Sequence, residues 1–285
     1  VNTTFGRVIE VTFREKRADG TEGDSLDLDT TRLNIGFTVE RNLDLEPSTL
    51  QATVFNLNPS IQESLKDRQW TVTLKAGYGE DAGVIFKGDV RFVRHRREPP
   101  LIATDIEADD GGDASKVVVK RHFAKGTTVG TVFQWLQEQT GLGVGNVTRI
   151  TQINKPDGLP DRLANGITVS GLAMEELGDL ANSRGAVLSS QNNEVIVLRP
   201  GEALPGASTT FISPETGMVG YPYVDNEGIL TLNHRLSPKI TPGAKLQVDN
   251  AAYVAGGPYV VERAVYSGSL WSDDFNVEIE GRLSV

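Results

Sequence analysis

Hydrophobic and polar positions alternate in short runs along the first 115 residues. Arg7–Phe13 (RVIEVTF) alternates with Val8 out of step, and Arg32–Glu40 (RLNIGFTVE) puts Leu33, Ile35, Phe37 and Val39 on one face. Leu50–Leu57, Thr71–Lys75, Val84–Phe86, Val90–Val93 and Leu101–Glu107 continue the pattern. A period of two, rich in β-branched and aromatic residues, predicts strands with one buried face. Asn58–Arg68 (NPSIQESLKDR) breaks the alternation: Asn58 suits a helix cap and Pro59 the first helical position. Many strands joined by short turns predict a barrel or a sandwich.

From about Lys116 the period changes. Thr128–Thr140 places Val129, Val132, Phe133 and Leu136 at helical spacing, with Gly141 as the stop. Ser170–Arg184 predicts a second amphipathic helix, with Leu172, Leu177, Leu180 and Ala181 inward, Ser170 as cap and Gly185 at the end. Ala186–Ser189 and Glu194–Leu198 read as a hairpin around QNN, and Gln152–Gly166 as an exposed loop. After a linker, Gly201–Ser208, the pattern returns to β, with three strands in Ser237–Leu283. The expected fold is therefore mainly β with an α+β insert. It divides into a first β-barrel over 1–115, a two-helix and hairpin insert over 116–200, and a second, similar β-barrel over 201–285 packed with strands of the first part.

The two β segments resemble each other. GVIFKGD at Gly83 aligns with GGPYVVE at Gly256, and DIEAD at Asp105 with EIEGR at Glu278, at one constant offset. That offset sets Phe86 against Tyr259 and Asp89 against Glu262. Each copy runs strand, turn, strand, long polar loop, strand, the loops being Arg94–Pro100 and Ser267–Asp274. Identities are few, and any two hairpins share some of this pattern; the common order of elements favours duplication.

Composition narrows the function. There is no cysteine, which removes disulfides, thiolate catalysis and cysteine-ligated metals, and fits folding in a reducing cytoplasm. No apolar run approaches the length of about eighteen residues needed to span a membrane. The opening VNTTFGRVIEVTF lacks the basic start and apolar core of a signal peptide, and a start on Val1 is compatible with trimming. The formal net charge of −10 argues against tight nucleic-acid binding, which draws its affinity from neutralised phosphates.

No reactive constellation stands out. DIEADDGGD falls short of a calcium loop, because the sixth and twelfth positions from Asp105 hold Asp110 and Lys116. His95, His122 and His234 have no metal-ligand spacing. GLGVGN at Gly141 follows a helix rather than a strand, so it reads as a helix exit. Glu175 with Glu176, and Asp273 with Asp274, are the carboxylate pairs a glycosidase would need, but both are sequence neighbours in polar surroundings. No cofactor and no catalytic residue is expected.

In its order of elements the chain resembles the baseplate hub, or tail-tip, proteins of tailed bacteriophages, which are related to the hub part of type VI secretion spike proteins. The resemblance rests on LNIGFTVERNLDLEPSTLQATVFNLNPSIQESL, the GVIFKGDV hairpin, the insert ending in SGLAMEELGDLANSRGAVLSSQNNEVIVLRP, and SPKITPGAKLQVDN followed by GPYVVERAVYSG. It implies a homotrimer whose two tube-like barrels per chain form a pseudo-sixfold ring. Such a ring joins a hexameric tail tube, or a distal tube protein, to a trimeric spike or needle protein, among neighbouring baseplate proteins. It leaves a channel through which DNA passes without specific binding, in the virion tail tip, with no membrane insertion. The spike is then expected to be a separate polypeptide.

Within that picture alternation puts Asp105, Glu107 and Asp109 on one strand face and Glu278 and Glu280 on another. These are the candidate channel-facing carboxylates, where a negative wall keeps DNA from adhering; an ordinary solvated face is the alternative. Arg94, Arg96 and Arg97, in the basic RFVRHRREPP, and Trp271, in the polar SGSLWSDD, are candidate interface residues. A solvated loop or, for Trp271, a core plug would also explain them; Lys116–Lys125 is a second basic run of the same kind, and Trp135 reads as core or semi-buried. The rival functions are an adhesion or carbohydrate-binding module of a phage tail and a tail-associated cell-wall hydrolase.

Overall fold

The structure is a computed structural model that describes residues 6–17, 22–145, 161–191, 194–207, 209–249 and 257–284. Most of the expected loop over Gln152–Gly166 lies outside the described residues. Among the described residues no helix is long and apolar enough to cross a membrane. The chain is mainly β. It opens with β1 (Arg7–Lys16), β2 (Glu22–Leu28), β3 (Ile35–Asn42), β4 (Thr49–Phe55), α1 (Pro59–Asp67), β5 (Trp70–Tyr78), β6 (Gly83–Glu98) and β7 (Leu101–Asp109). The insert holds β8 (Val118–Phe123), α2 (Val129–Thr140), β9 (Gly143–Val144), β10 (Ile167–Leu172), α3 (Ala173–Asn182), β11 (Val187–Gln191) and β12 (Glu194–Leu198). Then follow β13 (Thr209–Ile212), β14 (Met218–Val224), β15 (Ile229–Arg235), β16 (Lys245–Val248), β17 (Pro258–Ser269) and β18 (Phe275–Leu283).

Alternation sets the strand faces. On β3, Ile35, Phe37 and Val39 are buried; on β18, Phe275, Val277 and Ile279 are. The helices begin and end where their caps predict. The Asn58 side chain accepts from the Ser60 N–H and Pro59 opens α1. Thr128 Oγ1 accepts from the Thr131 N–H at the start of α2, and Gly141 closes it with φ of 71°. One expected cap fails. Ser170 lies inside β10, paired with Lys120, and α3 starts only after Leu172. The run ITVSGL is drawn into a strand because β8 lies alongside it, and Glu176 Oε1 accepts from the Ser170 N–H. β8 itself comes from the basic run, burying Val119 and Phe123 while Lys120, Arg121 and His122 face solvent. The two short expected strands Val84–Phe86 and Val90–Val93 are one, β6, and β2 was not expected at all.

Thirteen strands form one sheet, in the order β14-β15-β18-β17-β3-β4-β7-β6-β5-β1-β2, with β16 joined to β17 and β13 to β16. This pairing path does not close into a barrel among the described residues. One hydrophobic core runs beneath it, from Ile9, Phe13 and Leu74 of the first segment to Leu232, Tyr266 and Ile279 of the last. The insert has its own core around Val129, Phe133, Leu136, Leu177 and Val197. Between the two cores Arg41 is buried, bonded to the Ile85 carbonyl at 3.4 Å and to Gln191 Oε1 at 3.3 Å, which ties the β11–β12 hairpin to the sheet.

The order of pairing repeats. β1-β5-β6-β7-β4-β3 in the first segment matches β13-β16-β17-β18-β15-β14 in the last. A bulge at Arg91, between Val90 and Phe92, recurs at Glu262, between Val261 and Arg263. Two departures stand out. β13 and β16 run parallel whereas β1 and β5 run antiparallel. The constant sequence offset also fails on β6: Arg94 pairs with Asp105, and Val265 pairs with Glu278. Arg94 therefore stands where Val265 stands, two residues short of Ser267, and Asp89 corresponds to Val260 rather than to Glu262. The longer β17–β18 turn absorbs the difference.

Candidate functional site

Opposite the core, the neighbouring strands β6, β7, β4, β3, β17, β18 and β15 present one continuous polar face. The register fixes its rows. Glu107 stands beside Gln51, Gln51 beside Thr38, Thr38 beside Ser267, and Ser267 beside Asn276. The next row runs Asp109, Thr49, Glu40, Val265, Glu278 and Asn233. Asp105, Glu107, Asp109, Glu278 and Glu280 thus share one sheet face, because their strand partners Ile106, Ala108 and Ile279 are buried on the other. On the β6 side the face curves into an open groove of about 610 Å³ lined by Thr38, Gln51, Thr53, Arg94, Arg96 and Asp105, with Ser269 and Asp274 on its far bank.

The face is less negative than five carboxylates suggest. Asp105 accepts from Arg96 Nε at 2.7 Å, from Thr53 Oγ1 at 3.0 Å and from Arg94 Nη2 at 3.4 Å. The Arg96 bond, aided by Thr53 and Arg94, holds its carboxyl below the usual 3.8. Asp109 accepts from Arg91 Nε at 2.9 Å, and Arg91 also reaches Asp113 at 3.2 Å. Those partners raise the Arg91 guanidinium above its ordinary value, the Asp109 hydrogen bond most. Glu280 shares Arg263 with Glu40, at 2.9 and 2.8 Å. Glu107 and Glu278 are exposed and have no ion pair among the described residues. The acidic residues are held in place by arginines from adjacent strands, and two bare carboxylates remain.

The expected interface residues separate. Arg94 and Arg96 stand on the polar face, while Arg97, opposite Ile102, points to the other side of β6. His95, on that side too, bonds Thr104 Oγ1 at 3.1 Å and the Gln62 carbonyl at 3.2 Å, so it fastens α1 to β6. Trp271 is 64% exposed at the tip of the β17–β18 turn, which removes the core-plug alternative. Arg7 holds that turn by donating to the carbonyls of Ser269, Ser272 and Asp273. Trp135 is half-buried against Phe123, with the Arg121 guanidinium 5.0 Å from its ring. Asp109 and Asp113, from the calcium-like run, are spent on Arg91. One feature escaped the sequence: β14 is an edge strand that exposes Val219, Tyr221 (85%) and Tyr223 (59%). The signal was present as MVGYPYV, a run without charge after a linker.

A family model described as baseplate hub gp41 matches residues 48–281. Solved structures share the fold. The 43 kDa tail protein of prophage MuSo2 from Shewanella oneidensis superposes with a TM-score of 0.63 at 11% identity, over 96% of this chain and 97% of that one. The tail protein from Neisseria meningitidis MC58 gives 0.62 at 11%, over 96% of each chain. An Escherichia coli component of the type VI secretion system, described as structurally similar to T4 bacteriophage tail proteins gp27 and gp5, gives 0.55 at 10%, over 88% of this chain and 74% of that one. At such identities the likeness is one of fold. No curated protein sequence matches.

Proposed function

This chain belongs to the baseplate hub gp41 family, and we propose that it works as a homotrimeric hub at the tip of a phage tail. Family membership makes its role a structural one in the tail of the virion. In our reading each chain contributes two tube-like units, 1–115 and 201–285, with the insert 116–200 alongside. Three chains then give six units in a ring with threefold true and approximate sixfold symmetry. One rim of such a ring matches a hexameric tube and the other a trimeric spike, and duplication within one chain bridges that mismatch.

The observation that carries this reading is the repeated pairing order, with its bulge at Arg91 and again at Glu262. It supports two equivalent units that share a single uninterrupted polar face. Turned inward, that face lines a channel. Its carboxylates are held by Arg91, Arg94, Arg96 and Arg263, and Glu107 and Glu278 are left to repel a passing phosphate backbone. The groups on this face do no chemistry in our reading, and DNA passes without being read.

Light scattering across a concentration series tests the assembly. The expected mass is three times 30.8 kDa. A monomer at every concentration contradicts the reading. The hydrolase alternative is tested by a zymogram on bacterial cell walls, in which we expect no clearing.

A further inference from the structure

Each unit has an open edge on the polar face. β14 pairs with β15 alone, and the outer half of β6, from Arg91 to Glu98, pairs with β7 alone among the described residues. Inside the chain the equivalent edges are already joined: β3, the counterpart of β14, pairs antiparallel with β17, the counterpart of β6. The chain therefore contains a template for how one unit meets the next.

We propose that β14 of one copy pairs with the outer half of β6 in the next copy, in the register that β3 and β17 display. This rests on the trimeric ring proposed above and names the surfaces that close it. The template sets Thr38 opposite Ser267 and Glu40 opposite Val265. Arg96 occupies the place of Ser267 and Arg94 that of Val265. Tyr223, opposite Thr231 and so in line with Glu280, occupies the place of Thr38. Asp225, whose N–H bonds the Ile229 carbonyl, occupies that of Glu40. Arg96 of one copy thus meets Tyr223 of its neighbour, and Arg94 meets Asp225.

The chemistry matches. Directly opposed residues on paired strands bring their Cβ atoms within about 5 Å, close enough for a guanidinium to cover a tyrosine ring or reach a carboxylate. Arg94 and Arg96 both reach Asp105 on that edge, and Arg94 stays 61% exposed there. The two ends of the sheet also differ in a telling way. β2, at one end, carries Asp24 and Asp27, charges that discourage pairing, whereas β14 carries none from Met218 to Val224. Pro222 and the irregular register between Val219 and Tyr223 confine the new ladder to the Tyr223–Asp225 end.

Because the chain has no cysteine, a designed disulfide reports this contact directly. In one copy positions 223 and 96 are seven strand spacings apart, on the order of 30 Å along the sheet, so they cannot bridge internally. Under oxidised glutathione, Tyr223→Cys combined with Arg96→Cys should give a covalent trimer on a denaturing gel. Tyr223→Cys combined with Arg97→Cys, which points to the other face, should not. A melting transition like that of the unmodified protein checks that each variant is folded. As a second readout, Tyr223→Lys should raise the trimer's dissociation midpoint at least tenfold. If the unmodified protein is a trimer but neither effect is seen, the contact is wrong and the ring reading stands. If the unmodified protein is a monomer throughout, the ring reading itself falls.

Discussion

Asp105 and His234 show how much a single residue's surroundings decide. Alternation alone placed Asp105, Glu107 and Asp109 on one face, and the register confirms that grouping. The arginine partners of Asp105 and Asp109 were not legible, because Arg94, Arg96 and Arg91 reach them from the neighbouring strand β6. The residue equivalences between the units were likewise misread by two positions along β6, since loop length hides inside a hairpin. His234 has no metal-ligand spacing in the sequence. It is 4% exposed on β15, and burial pushes its imidazole below the ordinary value of 6.5. The folded state therefore takes up a proton less readily than the unfolded one. His234 contributes fully to stability above pH 6.5, and that contribution is lost as the pH falls from there through the folded-state value. In urea titrations at stepped pH, His234→Gln should lose less stability than the unmodified protein on acidification below 6.5. Parallel curves for the two would show that His234 is not the group responsible.

At the scale of elements the sequence was most readable where one local rule applied. Asn58 with Pro59 opened α1 and Gly141 closed α2 as expected, because caps act within a few residues. It was least readable where a distant partner decided the outcome. β8 and β10 pair across more than forty residues, so a basic run became a strand and Ser170 lost its role as cap. β6 was seen as two pieces because it leaves β5 for β7 midway, and alternation slips at its bulge. Gly88 sits at that crossing: a Cβ there would lie 2.4 Å from the Asp109 carbonyl oxygen, which belongs to a paired strand and cannot retreat cheaply. Gly88→Ala should destabilise the fold by about 1–3 kcal/mol, the usual cost of forcing atoms into a packed site. Chemical denaturation measures it, and an unchanged midpoint would mean that β6 can shift where the packing says it cannot.

On the scale of the whole molecule the sequence shows a change of period at about Lys116 and a return to alternation after the linker. The expected packing of the last segment with strands of the first takes the form of one shared sheet and one core, joined by β3 against β17, and no local pattern could show which strands meet. That junction turns two similar units into one curved surface, and it leaves β14 and the outer half of β6 as its free ends. In the proposed reading such a strip closes into a ring with copies of itself. The insert, anchored through Arg41 and Gln191, stands outside the repeated pairing order. The central claim is that three such strips enclose a channel with the carboxylate face inward. Electron microscopy of the purified assembly, with single-particle averaging, tests it most directly. The account predicts a ring of six similar lobes around an open hole, with Glu107 and Glu278 on the inner wall. A compact particle without a hole, or a ring with those two residues on its outer surface, would contradict it.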